Sequence, residues 1–162
     1  MVRTIALRIG FILSLIIAPD MRAPSVLTDH LASRIIDGCV VHAKAKRQSH
    51  AIAVYDAGAS PVALLRMDGS PAGVGAFAMQ KAAAVAHWRF STAEMERTAI
   101  ATAGFANTPN VVTVGGGIPV YSADSLTFLG AVGVSGDSPA DDAACAEAGV
   151  KAAGVSLTRK HR

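Results

Sequence analysis

Apolar residues recur along this chain in two rhythms. Leu31, Ile35, Ile36, Cys39, Val40 and Ala43 repeat at helical spacing after Thr28, which can cap the start, and so predict a helix over 28–48. Lys44, Lys46 and Arg47 close it, where positive charge suits the negative end of the helix dipole. Two β-rich runs follow, Ala51–Tyr55 and Pro61–Met67, joined by the short glycine-containing link Asp56–Ser60, as in a hairpin. Val74, Phe77, Ala78, Ala82, Val85 and Trp88 then form one apolar stripe, which predicts a helix over 72–88. Ser91-Thr92-Ala93-Glu94 has the form of a capping box opening a further helix to Ala103. The last third is strand-like again, with strands predicted at Val111–Val114, Ile118–Tyr121 and Thr127–Val134. Ser138-Pro139-Ala140-Asp141 supplies a cap, a first-turn proline and an acid, and predicts a helix to about Gly154. Helix, two strands, helices, three strands and helix make an α/β (α+β) domain, a hairpin-linked sheet with helices packed on it.

Composition sharpens this picture. The chain has 162 residues, the length of one domain; 51% are hydrophobic and 17% charged, which excludes disorder. Net charge is +3, but Arg3, Arg8 and Arg22 all lie in the first 23 residues, and the remainder is close to neutral. The other basic runs, Lys44–Arg47 and Arg159–Arg162, do not interleave with aromatics, so no nucleic-acid partner is expected. Arg3 and Arg8 precede the apolar run Ile9–Ala18, which has the length of an export-signal core and is too short for a stable membrane span. The domain is therefore expected in the periplasm or secreted, or in the cytoplasm if Met21 is the true start. Cys39 and Cys145 are the only cysteines; they are either a disulfide of an exported chain or two small buried helix residues, and their separation does not choose.

Signatures of catalysis are missing. The chain has no G-x-S-x-G, H-E-x-x-H or Walker loop, and its five histidines offer no pair at i,i+3 or i,i+4. Gly130, Gly133 and Gly136 lack dinucleotide-loop spacing and suit close backbone packing. Lys81 is the most informative charge, because it interrupts the apolar stripe between Ala78 and Val85. Either its stem packs while its amine reaches water, or the amine faces a pocket and pairs with an acidic ligand group. Arg66, just before Met67-Asp68-Gly69, raises the same question on its strand.

Five stretches occur in order: Ala53–Gly58, Arg66–Gly69, Lys81–Ala83, Gly115–Val120 and Leu129–Gly136. Together they resemble the GlcG/HbpS family, also described as haem-degrading-like or PduO C-terminal-like, over roughly residues 26–154. The resemblance implies a profilin-like fold, a five-stranded antiparallel sheet with helices on both faces, often assembled into homo-oligomers. The basic and apolar start marks off an export signal, 1–23, from a single domain, 24–162. The resemblance also implies a haem- or tetrapyrrole-binding protein rather than an enzyme. His42 and His87 are then the candidate axial donors, and Lys81 and Arg66 the partners of the carboxylates. The alternative is an accessory factor or small enzyme acting on a short-chain hydroxy acid or aldehyde. For that ligand the Gly115-Gly116-Gly117 turn and the helix start at Ser138 would offer backbone N–H groups to a carboxylate. The chain departs from the family pattern at Ala59, where a second glycine often stands, and in the bulky segment Val85–Arg89.

Overall fold

The computed structural model describes residues 26–160, so the expected export signal and His161 lie outside the described residues. The first helix, α1, runs Asp29–Lys46 and is capped by the Thr28 side chain, which accepts from the Leu31 N–H. Strands β1 (Ala51–Asp56) and β2 (Pro61–Arg66) form the expected hairpin. In its turn the Asp56 carboxylate accepts from the N–H groups of Gly58 and Ser60, both at 2.9 Å. Helices α2 (Ala72–Trp88) and α3 (Thr92–Ala101) follow, α3 opening on the reciprocal Ser91–Glu94 capping box. Strands β3 (Gly117–Tyr121) and β4 (Phe128–Ser135) make a second hairpin, and α4 spans Pro139–Ala152 behind its Ser138 cap.

The sheet has four strands in the order β2-β1-β4-β3, antiparallel throughout, not the five expected. The strand expected at Val111–Val114 does not form. Val111 and Val112 instead pack, as Trp88, Phe90 and Phe105 do, against the buried cluster of Val85 and Met95. This cluster also accounts for the bulk of the Val85–Arg89 segment: Trp88 meets Phe105 edge-on, with ring centres 5.4 Å apart, and its Nε1–H donates to the Pro109 carbonyl.

Strand alternation sorts the sheet into two faces. Ile52, Val54, Val132 and Val134 point to a large core shared with α1 and α4. Ala51, Ala53 and Ala131 point the other way, toward α2. That second face is built for close approach. A Cβ at Gly133 would sit 2.1 Å from the Ala78 carbonyl oxygen, so α2 rests directly on the sheet backbone. On the opposite face, Cys39 of α1 and Cys145 of α4 are fully buried and joined by a disulfide, which settles the question their separation left open.

Candidate functional site

Close packing of α2 on the sheet carries Lys81 to the end where β3 begins and β4 stops. Its side chain is fully buried and does not reach water. The amine donates to Asp142 Oδ2 at 2.8 Å and to the Val134 carbonyl at 2.9 Å, and it lies 4.8 Å from the centre of the Phe77 ring. Asp142, in the first turn of α4, is equally buried; its Oδ1 accepts from the Asp137 N–H and from His50 Nδ1, each at 3.1 Å. One carboxylate thus joins α2, the residue before β1 and the start of α4. His50 is wholly buried, and its Nε2 has no hydrogen-bond partner among the described residues.

The glycine turn belongs to this same cluster. Gly116 adopts φ +120°, and a Cβ there would lie 2.6 Å from the Val134 carbonyl oxygen and 2.8 Å from Lys81 Nζ. Gly115 is buried against Pro139, and the Gly117 N–H donates to Thr92 Oγ1 at 2.9 Å. Ser138 accepts from the Asp141 N–H and donates to the Asp141 carboxylate, closing its own helix. These turns therefore serve the fold's interior in this structure. Among the described residues, the other predicted side chains share no hydrogen bond or ion pair with Lys81 or with one another. Arg66 is exposed on the outer strand β2, and its guanidinium donates to the Ser70 carbonyl. His42 is half-buried on α1, in the layer across the sheet from α2, and His87 is exposed on the last turn of α2. Among the described residues no group of three or more His, Cys, Asp or Glu could hold a metal ion.

An open cleft lies at the other end of α2. Its main lobe, of about 360 Å³, is lined by Arg89, Tyr121, Leu126, Phe128 and Arg159. A second lobe of about 330 Å³ shares Arg89, Tyr121 and Arg159 and adds Glu94. Arg89 is held at the left-handed C-cap of α2 (φ +63°), with its guanidinium 5.3 Å from the centre of the Phe128 ring. Tyr121 packs edge-on against Phe128 and donates its hydroxyl to the Arg89 carbonyl at 3.3 Å. Burial raises the Tyr121 pKa above its ordinary value, while the charges of Arg159 and Arg89 pull it back. Glu94 is committed to the α3 cap, accepting from the Ser91 N–H and hydroxyl. The main lobe therefore presents two exposed guanidinium groups over aromatic surface, which suits a flat ligand with anionic groups at its edge.

Sequence reasoning misses this cleft because its two cations come from elements distant in the chain, and the basic C-terminal run reads as a solvated tail. The one available signal is the arginine that ends the α2 stripe beside Trp88. Asp142 is hidden for a different reason: an acid in a first helical turn is already explained by the helix dipole.

Comparison with known proteins places the fold. A search of curated proteins finds no match. Among solved structures, Klebsiella pneumoniae protein ORFY superposes with a TM-score of 0.74 at 20% identity, covering 84% of this chain and 96% of that one. A PduOC:heme complex gives a TM-score of 0.74 at 21% identity, covering 83% of this chain and 99% of that one. A double mutant of Streptomyces reticuli HbpS gives 0.72 at 22% identity, covering 93% and 97%. At these identities the likeness is one of fold. The family model described as haem degrading protein HbpS-like matches residues 27–151, nearly the whole described domain, and this chain belongs to the HbpS-like family.

Proposed function

We propose that this protein binds haem or a related tetrapyrrole, and that the cleft between Arg89 and Arg159 receives it. The observation that carries the reading is the pairing of two exposed guanidinium groups with the Tyr121 and Phe128 rings in one lobe. A tetrapyrrole has the matching parts, a flat apolar ring and peripheral carboxylates. Membership of a family described as haem-degrading, and likeness to a structure solved with haem, support the choice of ligand.

Arginine suits the carboxylates because its planar fork meets both oxygens at once. The aromatic side chains exclude water from one face of the ring. Haem, when bound, supplies the iron and its redox chemistry. The lining residues supply recognition: among them stand no histidine, methionine or cysteine, and the Tyr121 hydroxyl is engaged with the Arg89 carbonyl. The residues thus fit the periphery of the group. Binding, rather than catalysis, is the function read here.

Titration of the protein with hemin is expected to shift the Soret band and saturate near one equivalent per chain. Replacing Arg89 with Ala should weaken binding about five- to tenfold, in line with charge-assisted hydrogen bonds at a partly exposed site. A flat titration at micromolar protein overturns the proposal. A small carboxylate would find the same two guanidinium groups, and competition by such acids tests the alternative ligand.

Export to an oxidising compartment is the companion proposal. It is supported by the Arg3–Ala18 pattern and by the Cys39–Cys145 disulfide, a bond rare in the reducing cytosol. Self-association is proposed along β2, an outer strand on which Leu64 and Leu65 are exposed.

A further inference from the structure

Beyond α4 the chain does not hang free. Val155 is buried in the α1–α4 core, and Ser156 then forms an antiparallel bridge with Tyr121. The Tyr121 N–H donates to Ser156 at 2.8 Å, and the Ser156 N–H donates to Tyr121 at 2.9 Å. The hydroxyls of Ser125 and Ser156 meet at 2.8 Å, and the Lys160 N–H donates to the Ser125 carbonyl at 2.8 Å. The segment is therefore fastened to the β3–β4 hairpin at two points, and Arg159 stands between them. This is how Arg159 comes to line both lobes of the cleft, with its charge felt at Tyr121. The segment lies outside the family-matched residues 27–151, so the second cation of the cleft comes from beyond the matched domain.

Resting on the reading of the cleft as a tetrapyrrole site, we infer that Ser156–Lys160 is a specificity arm: it holds Arg159 opposite Arg89 so that the cleft selects a flat ligand with two carboxylates on one edge. Arg89 alone can serve one carboxylate. A second, fixed on the same rigid ring, finds a cation only because the arm is stapled down. The arm's remaining charge, Lys160, is not part of the lining and serves as the control.

The experiment compares protoporphyrin with its dimethyl ester, which keeps the ring and removes both charges. Binding is followed by fluorescence for the wild-type chain and for Arg159→Gln and Lys160→Gln, with circular dichroism confirming the fold. Wild type is expected to prefer the free acid. Arg159→Gln should reduce that preference about fivefold, the scale of one partly exposed charge pair, and leave ester affinity nearly unchanged. Lys160→Gln should leave the preference unchanged, and raising the salt should erode it in wild type. If both porphyrins bind and Arg159→Gln preserves the preference, or Lys160→Gln lowers it equally, the arm has no such role, and the Arg89→Ala titration decides the cleft reading separately. If neither porphyrin binds the wild-type chain, both the cleft reading and the arm fall together.

Discussion

Lys81 and Asp142 face each other at 2.8 Å with both side chains out of water. A buried pair of this kind adds little net stability over an apolar pair of the same volume, but losing one partner strands the other charge. Lys81→Met should therefore destabilise the domain by about 3–5 kcal/mol in urea unfolding. Lys81→Met with Asp142→Asn should recover much of that loss, since the neutral side chain still offers an oxygen to His50 and the Asp137 N–H; equal loss in single and double variants would refute the pairing. Tyr121 makes a second prediction. Its buried phenol holds its proton above the ordinary 10.0, so the unfolded chain releases that proton first and stability falls as pH rises through 10.0. The ultraviolet phenolate titration of wild type minus Tyr121→Phe should have its midpoint above 10.0.

At the scale of elements, the β1–β2 hairpin carries a visible compromise. Ala59 sits at φ +61°, left-handed backbone where a side chain is unfavourable and glycine is at ease. The family pattern often has a second glycine here, and the turn geometry explains it: Asp56 clamps the N–H groups on either side, at Gly58 and Ser60, leaving residue 59 little freedom to relax. Ala59→Gly should raise stability by about 0.5–1 kcal/mol, less than the full backbone gain because the Ala59 methyl packs beside the Met95 cluster. A lowered denaturation midpoint would show that packing outweighs backbone strain at this turn.

The molecule as a whole is two helical layers on one sheet, with a covalent tie in the larger layer. Cys39 and Cys145 close a loop with a sequence separation of 106, spanning the sheet and both middle helices. Constraining so long a loop in the unfolded chain is worth about 2–5 kcal/mol. Cys39→Ala with Cys145→Ala should lower unfolding stability by that amount while the circular-dichroism spectrum keeps its native shape, because the α1–α4 interface is already filled by Ile35, Ile36, Ala146 and Val150. An unchanged midpoint would mean the tie adds nothing to that packing.

What the sequence determined alone is what neighbours in the chain decide. Helical stripes, the Thr28, Ser91 and Ser138 caps and the Asp56–Ser60 turn are local physics, and each stands where the pattern puts it. The lone lysine in an apolar stripe was legible only as a choice between an amine in water and an amine paired with a ligand, and the structure has neither. Tertiary structure decided what distant segments do to one another. It drew Val111 and Val112, from the β-branched run Val111–Val114, into the cluster around Met95 beside Trp88, Phe90 and Phe105, where their apolar surface is covered without strand pairing. It gave Lys81 an acid of its own chain, because α2 lies close enough on Gly133 for the amine to reach α4 across the end of the sheet. It brought Arg89 and Arg159 to one cleft through a bridge at Ser156 that no local periodicity encodes. Partners of this kind are set by the free energy of the whole packing, in which the nearest residues along the chain have no privileged part.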